Sequence, residues 1–191
     1  MNQKNLLEVD WSRIPAPVDD GAAAHLVGMT MPPISLVATD DTAVTLSALS
    51  GRTVIFAYPR TGEPGKIALV DDWDMIPGAR GCTPQTCAFR DLFAELKAAG
   101  AKQVFGLSTQ SNSYQTEMAS RLHLPFPVLS DEKLELTRAL DLPTMQVAGL
   151  TLVKRLALIV DDSSISHVFY PVFPPDRNAS DVLAWLKRNP I

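Results

Sequence analysis

Two cysteines, Cys82 and Cys87, are all that the 191 residues contain, too few for a disulfide scaffold or a four-thiolate zinc site. Histidine is nearly as sparse. His25, His123 and His167 are scattered and none stands at ligand spacing from the thiols, so neither a metal centre nor another cofactor is expected. Positive charge is not in excess: 17 Lys and Arg against 21 Asp and Glu leave a formal net charge of −4, which argues against nucleic acid as a partner. Aromatic residues make up only 7% of the chain and suggest no stacking surface for bases. No apolar run approaches the roughly 18 residues that a bilayer span needs. The opening stretch MNQKNLLEVDWSRIP also lacks the apolar core of a secretory signal. No membrane partner is therefore expected, and the expected address is the cytoplasm, where paired cysteines are transient or catalytic.

What remains is an ordinary globular composition, 46% hydrophobic and 20% charged, in a chain of single-domain length. Residues 1–32 carry no clean periodicity and run into Met31-Pro32-Pro33; they read as an N-terminal extension with a short helix around Ala22 to Leu26, preceding one domain over 33–191. Ile34–Val37 and Ala43–Leu46 form a predicted hairpin, and Thr53–Tyr58 a buried strand stopped by Pro59. Arg60 to Arg80 is rich in Gly, Pro and Asp and too long for an idle loop. Apolar residues at Phe89, Leu92, Phe93 and Leu96 share one helical face, which predicts a helix over Thr83–Ala99 with Pro84 in its first turn and Gly100 as its stop. A strand over 103–107, a helix over 113–122, a short strand over 127–129 and a helix over 133–140 follow. Strands at 156–160 and 165–169, joined by Asp161-Asp162-Ser163-Ser164, and a helix at 180–187 close the chain. Alternation of this kind gives an α/β fold with a central mixed sheet flanked by helices, an order that fits a thioredoxin-like fold.

Cys82 then lies at a helix start, with Arg80 two residues before it. A helix N-terminus with nearby positive charge is the setting in which a cysteine most readily becomes a thiolate. Attack of that thiolate on a peroxide oxygen leaves a sulfenic acid, which condenses with a second thiol to a disulfide. Cys87 is the other thiol available. Five positions on a regular helix separate the two by about 7.5 Å of rise and roughly 140° of rotation, or about 8.7 Å between Cα atoms. A disulfide needs under about 7 Å, so bond closure requires the first turn to unwind. Two small buried core cysteines explain the same count and placement, and spacing alone leaves both readings open.

The run Gly81-Cys82-Thr83-Pro84-Gln85-Thr86-Cys87-Ala88-Phe89-Arg90-Asp91 closely resembles the GCTxxxCxFRD signature of the peroxiredoxin Q, or bacterioferritin comigratory protein, family. The resemblance implies a peroxiredoxin-type thioredoxin fold and a thiol peroxidase acting on hydrogen peroxide or small organic hydroperoxides. It makes Cys82 peroxidatic and Cys87 resolving within the same chain. It also implies regeneration by thioredoxin or a similar dithiol, and a monomer, with the N-terminal extension leaving room for a dimer contact. Arg155-Leu156-Ala157-Leu158-Ile159-Val160-Asp161 is similar to the family's strand that begins with an arginine holding thiolate and peroxide, which assigns that role to Arg155.

One departure stands out. Peroxiredoxins carry Pro-x-x-x-Thr-x-x-Cys, and here Ala79 occupies the threonine position. Thr61, Trp73 and Arg80, in or beside the long preceding loop, are candidates to replace the hydroxyl. Pro77-Gly78-Ala79 resembles the lead-in of the peroxiredoxin 5-type group instead, a register that makes Cys87 a rival attacker. Two other uses of the same pair are a non-catalytic redox sensor and a protein thiol-disulfide oxidoreductase, the latter disfavoured by four residues between the thiols in place of two.

Overall fold

The computed structural model describes residues 9–191, so the start of the expected extension lies outside the described residues. In chain order the elements are β1 (Ser35–Ala38), β2 (Ala43–Thr45), β3 (Arg52–Ala57), α1 (Cys82–Asp91), α2 (Phe93–Ala98), β4 (Gln103–Ser108), α3 (Asn112–Arg121), β5 (Val128–Ser130), α4 (Glu135–Ala139), β6 (Thr144–Val147), β7 (Leu150–Val153), β8 (Leu156–Asp161), β9 (Ser164–Phe169) and α5 (Asn178–Arg188). Seven strands form one sheet in the order β2-β1-β5-β4-β3-β8-β9. β3 runs parallel to β4 and β4 to β5, while β8 pairs antiparallel with β3, and β9 with β8. This is the mixed thioredoxin-type sheet that the strand and helix alternation predicts.

All six residues of β3 are buried, which is why it reads as an unbroken apolar run rather than an alternating one. Successive side chains serve opposite faces. Ile55 and Ala57 join a core with Leu107, Leu129, Leu136 and Leu158; Val54 and Phe56 join a second core with Phe89, Leu96, Met118, Val182 and Leu186. Helices α1, α2, α3 and α5 thus cover one face, and α4 the other. Phe89 stacks on Phe56 with ring centroids 4.0 Å apart, a contact worth about 0.5–1.5 kcal/mol beyond its buried area. It ties α1, and with it both cysteines, to the interior strand β3.

Three elements differ from the sequence expectation. The helix over 83–99 is split at Leu92, although the Leu96 amide still donates to the Leu92 carbonyl, so the joint is a kink in one helical track. Residues 22–26 form turns closed by Ala24 N to Gly21 O and Leu26 N to Ala23 O instead of a helix. β6 and β7 make a hairpin that no sequence element anticipated. The 60–80 loop is ordered against that hairpin: Trp73 packs with Ala79, Val147 and Leu152. No helix among the described residues is long and apolar enough to cross a membrane.

The segment before residue 26 is anchored at several points. Trp11 Nε1 donates to Asp176 Oδ2 at 2.9 Å, and its ring meets Phe173 edge-on. The Asp20 carboxylate accepts from Lys154 Nζ at 2.5 Å and from the Tyr170 hydroxyl at 2.7 Å. Leu26 and Met31 are buried in the core.

Candidate active site

Cys82 is the first residue of α1, preceded by Gly81 as cap with φ 104°. A side chain at 81 is excluded twice, by that left-handed backbone and by space. A Cβ would fall 2.6 Å from Trp11 and 2.7 Å from Pro175. The helix start is therefore delivered by a loop from one side and fixed by the N-terminal segment and residue 175 from the other.

Arg155, immediately before β8, reaches back to this helix start. Its Nη2 lies 3.1 Å from Cys82 Sγ and also within 3.2–3.3 Å of the carbonyls of Gly78, Ala79 and Arg80. A guanidinium nitrogen carries two protons, so these four acceptors share them, and a charged sulfur competes better than a carbonyl. The Cys82 thiol in turn can donate to Ala79 O at 3.5 Å. Arg155 is almost wholly buried, and its Nε has no acceptor among the described residues.

Two buried amides that the sequence did not single out complete the frame. Arg155 Nη1 donates to Gln85 Oε1, and Gln85 Nε2 donates to Asn178 Oδ1 at 2.9 Å. The chain Cys82, Arg155, Gln85, Asn178 joins β8, α1 and α5. Gln85 was findable, since it lies three positions after Cys82 and so on the same side of the helix. Asn178, at the far end of the sequence, carried no such signal. Thr86 Oγ1 bonds the Cys82 carbonyl at 2.9 Å, tightening the first turn.

Cys87 is also on α1 and buried, and both thiols are free. Burial pushes its thiol above the ordinary cysteine range; Arg90 and Arg121 pull it down and Asp91 up, without reversing the shift. Tyr58, fully buried beneath the site, is raised chiefly by burial, and its hydroxyl donates to Gln115 Oε1 at 2.9 Å. A raised thiol pKa keeps Cys87 protonated near neutrality. In a Cys82→Ser protein, alkylation of Cys87 by iodoacetamide is expected to accelerate with pH and to titrate above the ordinary value of about 8.5; a midpoint at or below it would show that burial does not govern this thiol.

Of the proposed stand-ins for the missing hydroxyl, Thr61 is bonded to Gln110 by both its amide and its side chain, and Trp73 is a packing residue. Arg80 meets the site through its carbonyl, while its side chain pairs with Asp74 at 3.7 Å. Ala79 itself is fully buried beside Trp73. Among the described residues no cluster of three or more His, Cys, Asp or Glu is placed to hold a metal ion.

A thioredoxin-type sheet, a cysteine at a helix start and a buried guanidinium at its sulfur define a thiol-redox protein. Comparison with known proteins narrows the class: residues 26–185 match the Redoxin family model, and the chain belongs to that family as a member of its peroxiredoxin Q branch, the thiol-dependent peroxidases. It is 30% identical over 162 residues to the chloroplastic peroxiredoxin Q of Sedum lineare, covering 84% of this chain and 77% of that one. The corresponding protein of Oryza sativa subsp. japonica is also 30% identical, with 66% of its length covered. Among solved structures, peroxidoxin BcpB from Mycobacterium tuberculosis superposes with a TM-score of 0.69 at 26% identity, over 86% of this chain and 98% of that one. A PrxQ mutant of Xylella fastidiosa, at 21% identity and a TM-score of 0.67, shares the fold.

Proposed function

We propose that this peroxidase reduces hydrogen peroxide and small organic hydroperoxides with Cys82 as the attacking thiolate, and that Cys87 resolves the product within the same chain. The observation that carries the assignment is the 3.1 Å contact between Arg155 Nη2 and Cys82 Sγ, set against the burial that keeps Cys87 protonated. The thiolate attacks the terminal peroxide oxygen and the O–O bond breaks. Cys82 becomes a sulfenic acid, and the departing hydroxide or alkoxide takes a proton. The Cys87 thiol then condenses with the sulfenic acid, releasing water and forming a disulfide that a thioredoxin-like dithiol reduces.

Both cysteines lie in one helix, where five positions place Cα atoms about 8.7 Å apart, so α1 must open at its first turn before the sulfurs can bond. Asn178, Gln85 and Thr86 hold that turn closed in the reduced state. The site is complete within a single chain, which favours a monomer, and the two-cysteine economy suits a reducing compartment such as the cytoplasm. Mass spectrometry after one equivalent of hydrogen peroxide is expected to show a monomer lighter by two hydrogens with Cys82 and Cys87 linked in one peptide. A disulfide between two chains, or oxidation of Cys82 with no cross-link, would overturn the resolving role of Cys87.

A further inference from the structure

The N-terminal segment precedes the family match, which begins at residue 26, and the mycobacterial structure is matched over 98% of its length while 14% of this chain stays outside the match (100 − 86). Yet the segment crosses the mouth of the cysteine site. Trp11 sits against Gly81, the residue before Cys82, and Pro17 lies against Gly78, whose carbonyl Arg155 binds. Asp20 is clamped by Lys154 and Tyr170, and both bonds hold its carboxyl well below the usual carboxylate range, so the clamp stays charged at acidic pH.

Between this strap and the domain lies a cavity of about 110 Å³, whose lining includes Pro17, Val18, Pro77, Met145, Arg155 and Tyr170. Its walls are mainly apolar. Two charged residues also line it: Lys154, whose ammonium is paired with Asp20, and Arg155, the same side chain that touches Cys82 Sγ. An apolar chamber that shares a guanidinium with the nucleophile suits a molecule with a hydrocarbon body and a peroxide head. Hydrogen peroxide has no body to place there. The volume is somewhat below the roughly 150 Å³ of an engineered cavity that accepts benzene, which fits a tert-butyl group or a short alkyl chain.

We infer that the strap over residues 11–20 builds, with Met145 of the β6–β7 hairpin, a binding site for the alkyl group of a small organic hydroperoxide, and so sets the preference of the enzyme for such peroxides over hydrogen peroxide. The inference rests on the peroxidase reading of Cys82. The reaction it serves is attack of the Cys82 thiolate on the terminal oxygen of ROOH. The O–O bond breaks, sulfur is oxidised to sulfenic acid, and RO⁻ leaves with the electron pair to be protonated as ROH.

The test compares kcat/KM for tert-butyl hydroperoxide with that for hydrogen peroxide in the full chain, in Met145→Gln, which makes one wall polar, and in Asp20→Ala, which unclamps the strap. The ratio of the two efficiencies is expected to fall about fivefold or more in each variant, in keeping with the roughly 10-fold and larger discrimination that apolar pocket contacts provide. An unchanged ratio in either variant overturns the inference. A second measurement needs no turnover: in Cys82→Ser protein with methyl-labelled methionine, tert-butanol is expected to shift the Met145 methyl resonance saturably, and no shift overturns the site. If the unaltered protein consumes neither peroxide, the peroxidase reading fails, and the tert-butanol titration still decides whether the chamber binds an alkyl group.

Discussion

Replacing Cys82 by serine is expected to bring peroxide consumption down to the uncatalysed rate, a loss of at least about 10³-fold, because no other nucleophile in the site is poised to take its place. Cys87→Ser should behave differently. Its first turnover, followed as sulfenic acid formation, is expected within a few-fold of the unaltered protein, whereas sustained turnover with a thioredoxin-like donor collapses for lack of a disulfide to reduce. The contrast follows from position along one helix. Cys82 is at the first residue, in contact with Arg155; Cys87 is a turn and a half further in, its thiol raised by burial. Retained turnover in Cys82→Ser together with loss of the first turnover in Cys87→Ser would reverse the two roles.

Arg155→Met should lower kcat/KM for hydrogen peroxide by about 10²–10³, the usual cost of removing one donor aimed at developing charge. Methionine keeps much of the volume and removes the charge. Two effects then have to be separated, since Arg155 also binds the carbonyls of Gly78, Ala79 and Arg80. A buried acceptor left unsatisfied costs about 1–3 kcal/mol, so a fall in Tm is expected as well. The discriminating measurement is alkylation of Cys82 by iodoacetamide beside its oxidation by peroxide. If Arg155 acts only on the sulfur, both rates fall by one factor; if it also stabilises the breaking O–O bond, oxidation falls further, and that is the expected result. Arg155→Lys should recover part of the rate, because a lysine supplies charge but cannot bridge Sγ and Gln85 with a planar fork.

The parts of this molecule written in local periodicity were legible before any coordinates. The apolar face at Phe89, Leu92, Phe93 and Leu96 placed α1 and its track, and the uninterrupted apolar run at 53–58 marked the doubly buried β3. The β6–β7 hairpin was invisible because its turn is Ala148-Gly149, both at positive φ, where the recognisable signal is Asn-Gly or Asp-Gly. The contacts of the candidate site split along the same line. Cys82 and Cys87 stood out through the signature over Gly81–Asp91, and Arg155 through its family strand. Asn178, by contrast, joins Gln85 across 93 positions, and Trp11 joins Asp176 across 165; no local pattern encodes such pairings. The 60–80 loop read as too long to be idle, but its Gly, Pro and Asp content did not say what orders it: Trp73 packs it against the hairpin that the turn concealed.

Gly81 also binds three distant stretches of sequence into one evolutionary unit. The indole of Trp11 and the ring of Pro175 fill the space where its side chain would stand, so positions 11, 81 and 175 cannot drift independently. A lineage that acquired a larger residue at 81 would have to shrink or lose the other two, and one that lost the strap would relax the constraint on the glycine from that side while the left-handed backbone still imposed it from the other. Across homologous sequences these three sites should therefore covary, and the presence of a tryptophan near the N-terminus should mark the subset of relatives in which the cysteine loop is clamped from outside.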